Sequence, residues 1–286
     1  MPHYATLGQI AFVFLLAFFT QMLVWDLAHA LSSHLGLILA EATLVLAVAF
    51  FIARARRVTA EDALLLNATH LHLLGLVLPT ATCAALLVGE FDLLWRAFLA
   101  HWDVSLPLSI QKTALELQII RNPSEFLPGF LAVAIAPALC EELFFRGFVF
   151  TGLYAHHGPR WAVLGSAGLF ALAHFNPWQF PAYFLLGLFL GLLVYWTHSI
   201  YPAVLAHAIN NLISLVGVNL NVHWGVEALN STHYLPLYIS LLALPILFGG
   251  LQLVRRYPPI MPLPSPTPRP ETRRGTPVSS APSSPN

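Results

Sequence analysis

The segment Glu141-Glu142-Leu143-Phe144-Phe145-Arg146 places three ionisable side chains inside an otherwise apolar stretch. Apolar runs flank it on both sides, Phe130–Leu139 before and Gly147–Leu153 after, so the charges fall in mid-helix. Glu142 and Arg146 are four residues apart, on one helical face and within pairing reach. Pairing lowers the cost of holding either charge in a low dielectric. Glu141 points roughly 100° away around the helix and does not easily share that arginine. One carboxylate is neutralised and the other left free, which assigns structural work to Glu142 and chemical work to Glu141.

Two further clusters follow in chain order. Phe170 and His174 share a helical face, so the ring is placed to orient the imidazole. Alone, a histidine in an apolar helix is more often a satisfied core group than a reactive one, but ionisable residues within spanning helices usually face the bundle interior and mark function. Position strengthens the case. The midpoint between Glu141 and His174 falls in His156-His157-Gly158-Pro159, where Gly and Pro signal a turn. In an antiparallel hairpin, residues equidistant from the turn sit at equal depth, here about 25 Å along each helix. The third cluster pairs His207 with Asn211, again four apart, while Asn210 faces elsewhere. A polar helix–helix contact would explain this pair as well. Its distance from the turn at Thr197–Pro202 does not by itself bring it to the depth of Glu141.

The elements that must position these groups are membrane helices. Of 286 residues 57% are hydrophobic and 9% charged. A soluble domain carries about 25% charged residues, so this chain has too little polar surface for water. Thirteen basic and thirteen acidic side chains cancel, and no basic stripe suggests nucleic acid as a partner. Dinucleotide and nucleoside-triphosphate loops, HExxH and CxxC are all missing. Cys83 and Cys140 sit in apolar runs and build no disulfide framework.

A spanning helix takes about 20 apolar residues. Eight runs qualify, near 7–25, 36–53, 69–89, 127–154, 160–176, 180–197, 200–218 and 234–254. The expected fold is therefore all-α, a polytopic helical bundle. Ala28-His29-Ala30 resembles a signal-cleavage triplet, but the first run lacks a basic leader and reads as a retained anchor. Arg54, Arg56 and Arg57 follow the second run, Arg160 opens the fifth, and Arg255 and Arg256 follow the eighth. An even count of spans puts these clusters on one face, the cytoplasmic one, with both termini inside. Residues 90–126 read as an amphipathic connector with interfacial Trp95, Arg96, His101 and Trp102, then a partly polar helix from Ser109 to Asn122. From Tyr257 onward a Pro/Ser-rich tail is expected to be disordered.

Taken together, the three clusters resemble the CPBP family, intramembrane endopeptidases that include the type II CAAX prenyl proteases and bacteriocin-related enzymes. Its pattern is EExxxR, then FxxxH, then HxxxN, on separate helices of an eight-helix core. Glu141, Glu142, Arg146, Phe170, His174, His207 and Asn211 match it, and the resemblance covers about residues 120–220. It divides the chain into N-terminal helices and connector (1–120), a catalytic helical core (121–220), a last loop and helix (221–256) and the tail (257–286). The resemblance implies hydrolysis of a peptide bond at or near the membrane. By motif position Glu141 is the general base, Glu142 is held by Arg146, His174 assists, and His207 and Asn211 stabilise the oxyanion. Burial and neutral donors suit that chemistry.

No cofactor is required in this reading. Zinc held by Glu141, His174 and His207 is the metal-dependent alternative, disfavoured because no HExxH-type helix pairs the histidines. A Cys140 nucleophile suffers from an apolar setting that opposes a thiolate. A non-catalytic scaffold or immunity-type protein is the rival of another class; a transporter is a third, without visible inverted repeats. The expected partners are the bilayer and a membrane-associated or lipidated peptide: a prenylated CAAX tail, a bacteriocin leader or a C-terminal sorting helix. The location is a plasma membrane in a prokaryote or an internal membrane in a eukaryote.

Overall fold

A backbone surrounded by hydrocarbon must satisfy its own polar groups, which restricts such a chain to helices or a closed barrel. The computed structural model describes residues 4–54, 59–224 and 236–263, and these are mostly helical, with no strand among the described residues. In chain order the helices are α1 (Leu7–Ala28), α2 (Ser33–Arg54), the short α3 (Ala60–Leu64), α4 (Leu71–His101) and α5 (Leu108–Gln118). They continue with α6 (Pro123–His157), α7 (Pro159–Ala173), α8 (Phe180–Thr197), α9 (Tyr201–Trp224) and α10 (Leu237–Arg256). All but α3, α5 and α7 are long and apolar enough to cross a membrane, which makes seven candidate spans. The chain is an all-α, multi-pass membrane bundle.

Three expectations change in detail. The run at 160–176 becomes a helix of only 15 residues, closed at its end by His174. At 1.5 Å per residue that is about 22 Å, short of the roughly 30 Å hydrocarbon core. Residues 90–101 are not a separate amphipathic connector: α4 runs unbroken through Trp95 and Arg96 to His101. The polar part of the connector does form a helix, α5, tied down by Asn219, which accepts from the Ile120 amide (2.8 Å) and donates to the Gln118 carbonyl (2.8 Å). Third, the stretch after Tyr257 stays against the bundle as far as Leu263. The His198 ring, for instance, donates from Nδ1 to the Met261 carbonyl at 2.8 Å. The rest of the tail lies outside the described residues.

α6 carries two π-helical turns, Leu131–Ile135 and Leu143–Val149, one on each side of the two glutamates. Pro137 accounts for the first. It has no N–H to give to residue 133 and its ring crowds that carbonyl, and the wider turn, with Ala136 bonded to the Leu131 carbonyl, makes room. Gly158 ends α6 with φ 85° and ψ −178°, a backbone conformation that essentially only glycine adopts without strain. Pro159 then opens α7 with a preset φ, so the expected hairpin forms where the Gly-Pro signal placed it.

Several contacts gather one end of the bundle. His156 bonds the Tyr4 carbonyl (3.2 Å), Thr151 the Ala63 carbonyl (2.9 Å), and the Ile200 amide the Leu65 carbonyl (3.1 Å). Arg54, Arg160, Arg255 and Arg256 therefore cluster at the same end. α7 and α8 cross closely. A Cβ built on Gly187 would stand 2.9 Å from the Ala167 Cα, closer than side chains tolerate. Gly187→Ala is expected to lower stability in detergent by about 1–3 kcal/mol, the usual cost of overpacking; an unchanged denaturation midpoint would show that the crossing relaxes freely.

Candidate active site

Glu142 and Arg146 lie at 0% exposure, and Arg146 Nη1 donates to Glu142 Oε1 at 2.8 Å. The guanidinium has two more engagements. Nη2 donates to the Gly187 carbonyl on α8 at 3.1 Å, and Cζ lies 4.4 Å from the centre of the Phe170 ring. A buried arginine is tolerable only with such compensation. His207 reaches the same carboxylate from α9, with Nδ1 2.9 Å from Glu142 Oε1, and its ring meets the Phe170 ring edge-on at 5.6 Å. Glu142 thus joins α6 to α9, while Arg146 joins α6 to α8. The expectation that Glu142 is held by Arg146 matches this geometry; the bond from His207 was not foreseen.

Glu141 turns the other way. It shares with His174 the lining of a cavity of about 380 Å³, bounded also by Phe14, Phe18, Gln21, Trp25 and Glu41 from α1 and α2. Its Oε2 is buried and has no hydrogen-bond partner among the described residues. A buried polar atom without a partner is unusual and costly in a folded protein, and such atoms concentrate where a ligand or water belongs.

His174 closes α7, and its Nδ1 donates to the Phe170 carbonyl at 2.8 Å. That bond fixes the tautomer: the neutral ring keeps its lone pair on Nε2. The imidazole is clamped between two rings, edge-on to Phe170 at 4.8 Å and stacked on Tyr183 of α8 at 3.9 Å. The next residue, Phe175, has φ 47°, a left-handed conformation that is strained for a bulky side chain. It is stacked on Phe18 of α1 at 4.2 Å.

Because α7 ends early, the residues after His174 run as irregular backbone at membrane depth, where it survives only inside protein or beside a cavity. A polar chain braces them. Asn176 Nδ2 donates to Gln179 Oε1 (2.7 Å), Gln179 Nε2 donates to Asp92 Oδ2 on α4 (2.8 Å), and Arg96 Nε pairs with that oxygen (2.9 Å). Tyr183, Asp92, Gln179, Gln21 and Glu41 were not among the residues singled out from the sequence. Glu41 and Asp92 carried the signal used for the other clusters, a carboxylate within an apolar run. Gln179, Gln21 and Tyr183 carried none.

The structure therefore brings Glu141 and His174 to one cavity and His207 to Glu142. Asn211 lies one turn past His207 on α9, where its Oδ1 accepts from Asn210 Nδ2 at 3.1 Å. For a metal, the donor set does not converge: no three of His, Cys, Asp and Glu among the described residues form a cluster able to hold one. Cys83 and Cys140 are free thiols.

In comparisons with known proteins, residues 123–213 match the family described as type II CAAX prenyl endopeptidase Rce1-like, a protease family. The matched segment spans every motif residue from Glu141 to Asn211. No curated protein and no solved structure matches the chain.

Proposed function

Taking as premise that residues 123–213 are an Rce1-like segment, we propose that the chain is an intramembrane endopeptidase in which Glu141 activates water. The observation that carries this reading is the unpartnered, buried Oε2 of Glu141 beside His174 in one cavity. A water there gives one proton to Glu141 as its oxygen bonds to the scissile carbonyl carbon. His174 Nε2 accepts the water's other O–H and holds it in line. As the C–N bond breaks, the protonated Glu141 returns its proton to the leaving nitrogen. Carboxylic acid and amine leave, and the carboxylate is restored.

Oxyanion stabilisation falls to His207 and Asn211. His207 turns Nδ1 to Glu142, so Nε2 is the ring atom left to face the substrate. The chemistry needs no metal.

Depth narrows the substrate. Glu141 lies 17 residues before Gly158, the turn at the arginine end, which at 1.5 Å per residue puts it about 25 Å from that end. With the arginines cytoplasmic, both termini are inside and the site faces the non-cytoplasmic half of the bilayer. That favours the membrane-anchored C-terminal segment of an exported protein over a cytosolic lipidated tail.

The test is cleavage of two peptides by purified protein in detergent, one farnesylated at a CAAX-type C-terminus and one with an apolar C-terminal helix and basic flank. Each runs with and without a strong chelator, and products are read by mass. Cleavage of the second, unaffected by chelation, is expected. Loss on chelation with rescue by zinc would overturn the metal-free form. Cleavage of the first alone would overturn the orientation. Absence of turnover, with a membrane partner recovered equally by wild type and Glu141→Ala, would favour a scaffold.

A further inference from the structure

A second carboxylate faces the same cavity. Glu41 sits midway along α2, inside an apolar run, with 4% of its surface exposed. One oxygen is accounted for: Oε1 accepts from Gln21 Nε2 on α1 at 3.0 Å. The other, Oε2, is buried without a hydrogen-bond partner among the described residues, as is Oε2 of Glu141. Both residues line the cavity, Glu41 on the α1–α2 wall and Glu141 on the α6–α7 wall.

Several features set Glu41 apart from a merely structural residue. Glu142 and Asp92, also buried, each have a cation, Arg146 and Arg96. Among the described residues Glu41 has no cation, only the amide of Gln21, which orients the carboxyl and leaves Oε2 open. The remaining lining of its wall is largely apolar, with Phe14, Phe18, Leu37 and Leu44 and the indole of Trp25. A peptide entering an apolar groove must exchange its backbone bonds to water for bonds to protein, and on that wall Glu41, Gln21 and the Trp25 indole N–H carry the polar atoms.

We propose that Glu41, oriented by Gln21, is a further substrate-contacting residue, hydrogen-bonding the backbone of the peptide along the α1–α2 wall while Glu141 acts from α6. This inference rests on the protease reading for its ligand and assigns Glu41 to binding rather than to water activation. The contact is a hydrogen bond, not an ion pair, so an amide replaces the carboxyl. α1 and α2 lie outside the segment that matches the family, so the inference extends the site beyond it.

Binding and turnover separate the possibilities. The apolar-helix peptide and the farnesylated peptide, each carrying a fluorophore, are titrated against wild type, Glu41→Leu, Glu41→Gln and Glu141→Ala, with kcat and KM measured in parallel. Glu41→Leu is expected to weaken Kd and raise KM roughly tenfold with kcat little changed, the scale of one lost hydrogen bond. Glu41→Gln is expected to restore most of that loss, and Glu141→Ala to bind but not cleave. A Glu41→Leu protein that binds as wild type overturns the contact, and so does a fall in kcat at unchanged KM, which would move Glu41 into proton transfer. Failure of Glu41→Gln to rescue overturns the hydrogen-bond assignment. Binding without cleavage by wild type refutes the protease reading yet still decides the contact; binding of neither peptide refutes both. An unchanged denaturation midpoint in each variant excludes misfolding.

Discussion

Glu141→Gln is expected to slow peptide cleavage by about 10³-fold, within the range contributed by a positioned general base, while leaving the denaturation midpoint in detergent close to that of wild type. The amide has the shape of the carboxyl and fits the same cavity wall, but it takes no proton from water. Stability is spared because Glu141 holds no partner through Oε2 that the substitution would strand. Cys140→Ala, one position earlier, keeps wild-type turnover if the thiol only packs. Full activity in Glu141→Gln would remove Glu141 from the chemistry and leave the cavity as a binding site. Equal loss of activity and stability would instead make it a structural residue.

Glu142→Leu is expected to fail in the opposite way. Arg146 is wholly buried, and without its carboxylate the guanidinium keeps only the Gly187 carbonyl and the face of Phe170. Stranding a buried charge in this way costs about 3–5 kcal/mol. His207 loses the acceptor for Nδ1 at the same time, so activity falls with stability. The double variant Glu142→Leu/Arg146→Met separates the two effects. Replacing both charges with apolar groups removes the stranded cation, so most of the stability returns, but turnover does not, because His207 remains unanchored. Chemical denaturation in detergent beside a cleavage assay reads both quantities. A loss below about 1 kcal/mol in Glu142→Leu would place the pair among weak, solvent-screened contacts and refute the role given to it.

The buried pair and the carboxylate proposed to activate water come from one dipeptide. Glu141 and Glu142 differ by roughly 100° of helical rotation, and that rotation sends one carboxylate to a cation and the other to a cavity. The π turns on either side of them are of the kind that often accompanies functional sites in helices.

What the sequence determined by itself is what local helical geometry determines. Spacing by four put Glu142 with Arg146 and Phe170 with His174, since rotation per residue is nearly constant. The Gly-Pro turn fixed where α6 and α7 reverse, and rise per residue then matched the depths of Glu141 and His174. The low charge content and long apolar runs required a membrane bundle. Tertiary structure decided everything that depends on which helices become neighbours. No spacing rule relates Glu142 to His207, 65 residues away, or Tyr183 to the face of His174. Nor does any bring Glu41 of α2 to the cavity of Glu141. Helix termination was partly legible: the run to residue 176 ends at Asn176-Pro177, a turn signal, but α7 itself stops earlier, at Ala173, and only the structure shows Asn176 taking the Gln179 amide and Asp92 holding the Gln179 side chain. Periodicity reports the face a residue occupies on its own helix; the partner on that face is set by packing among distant segments.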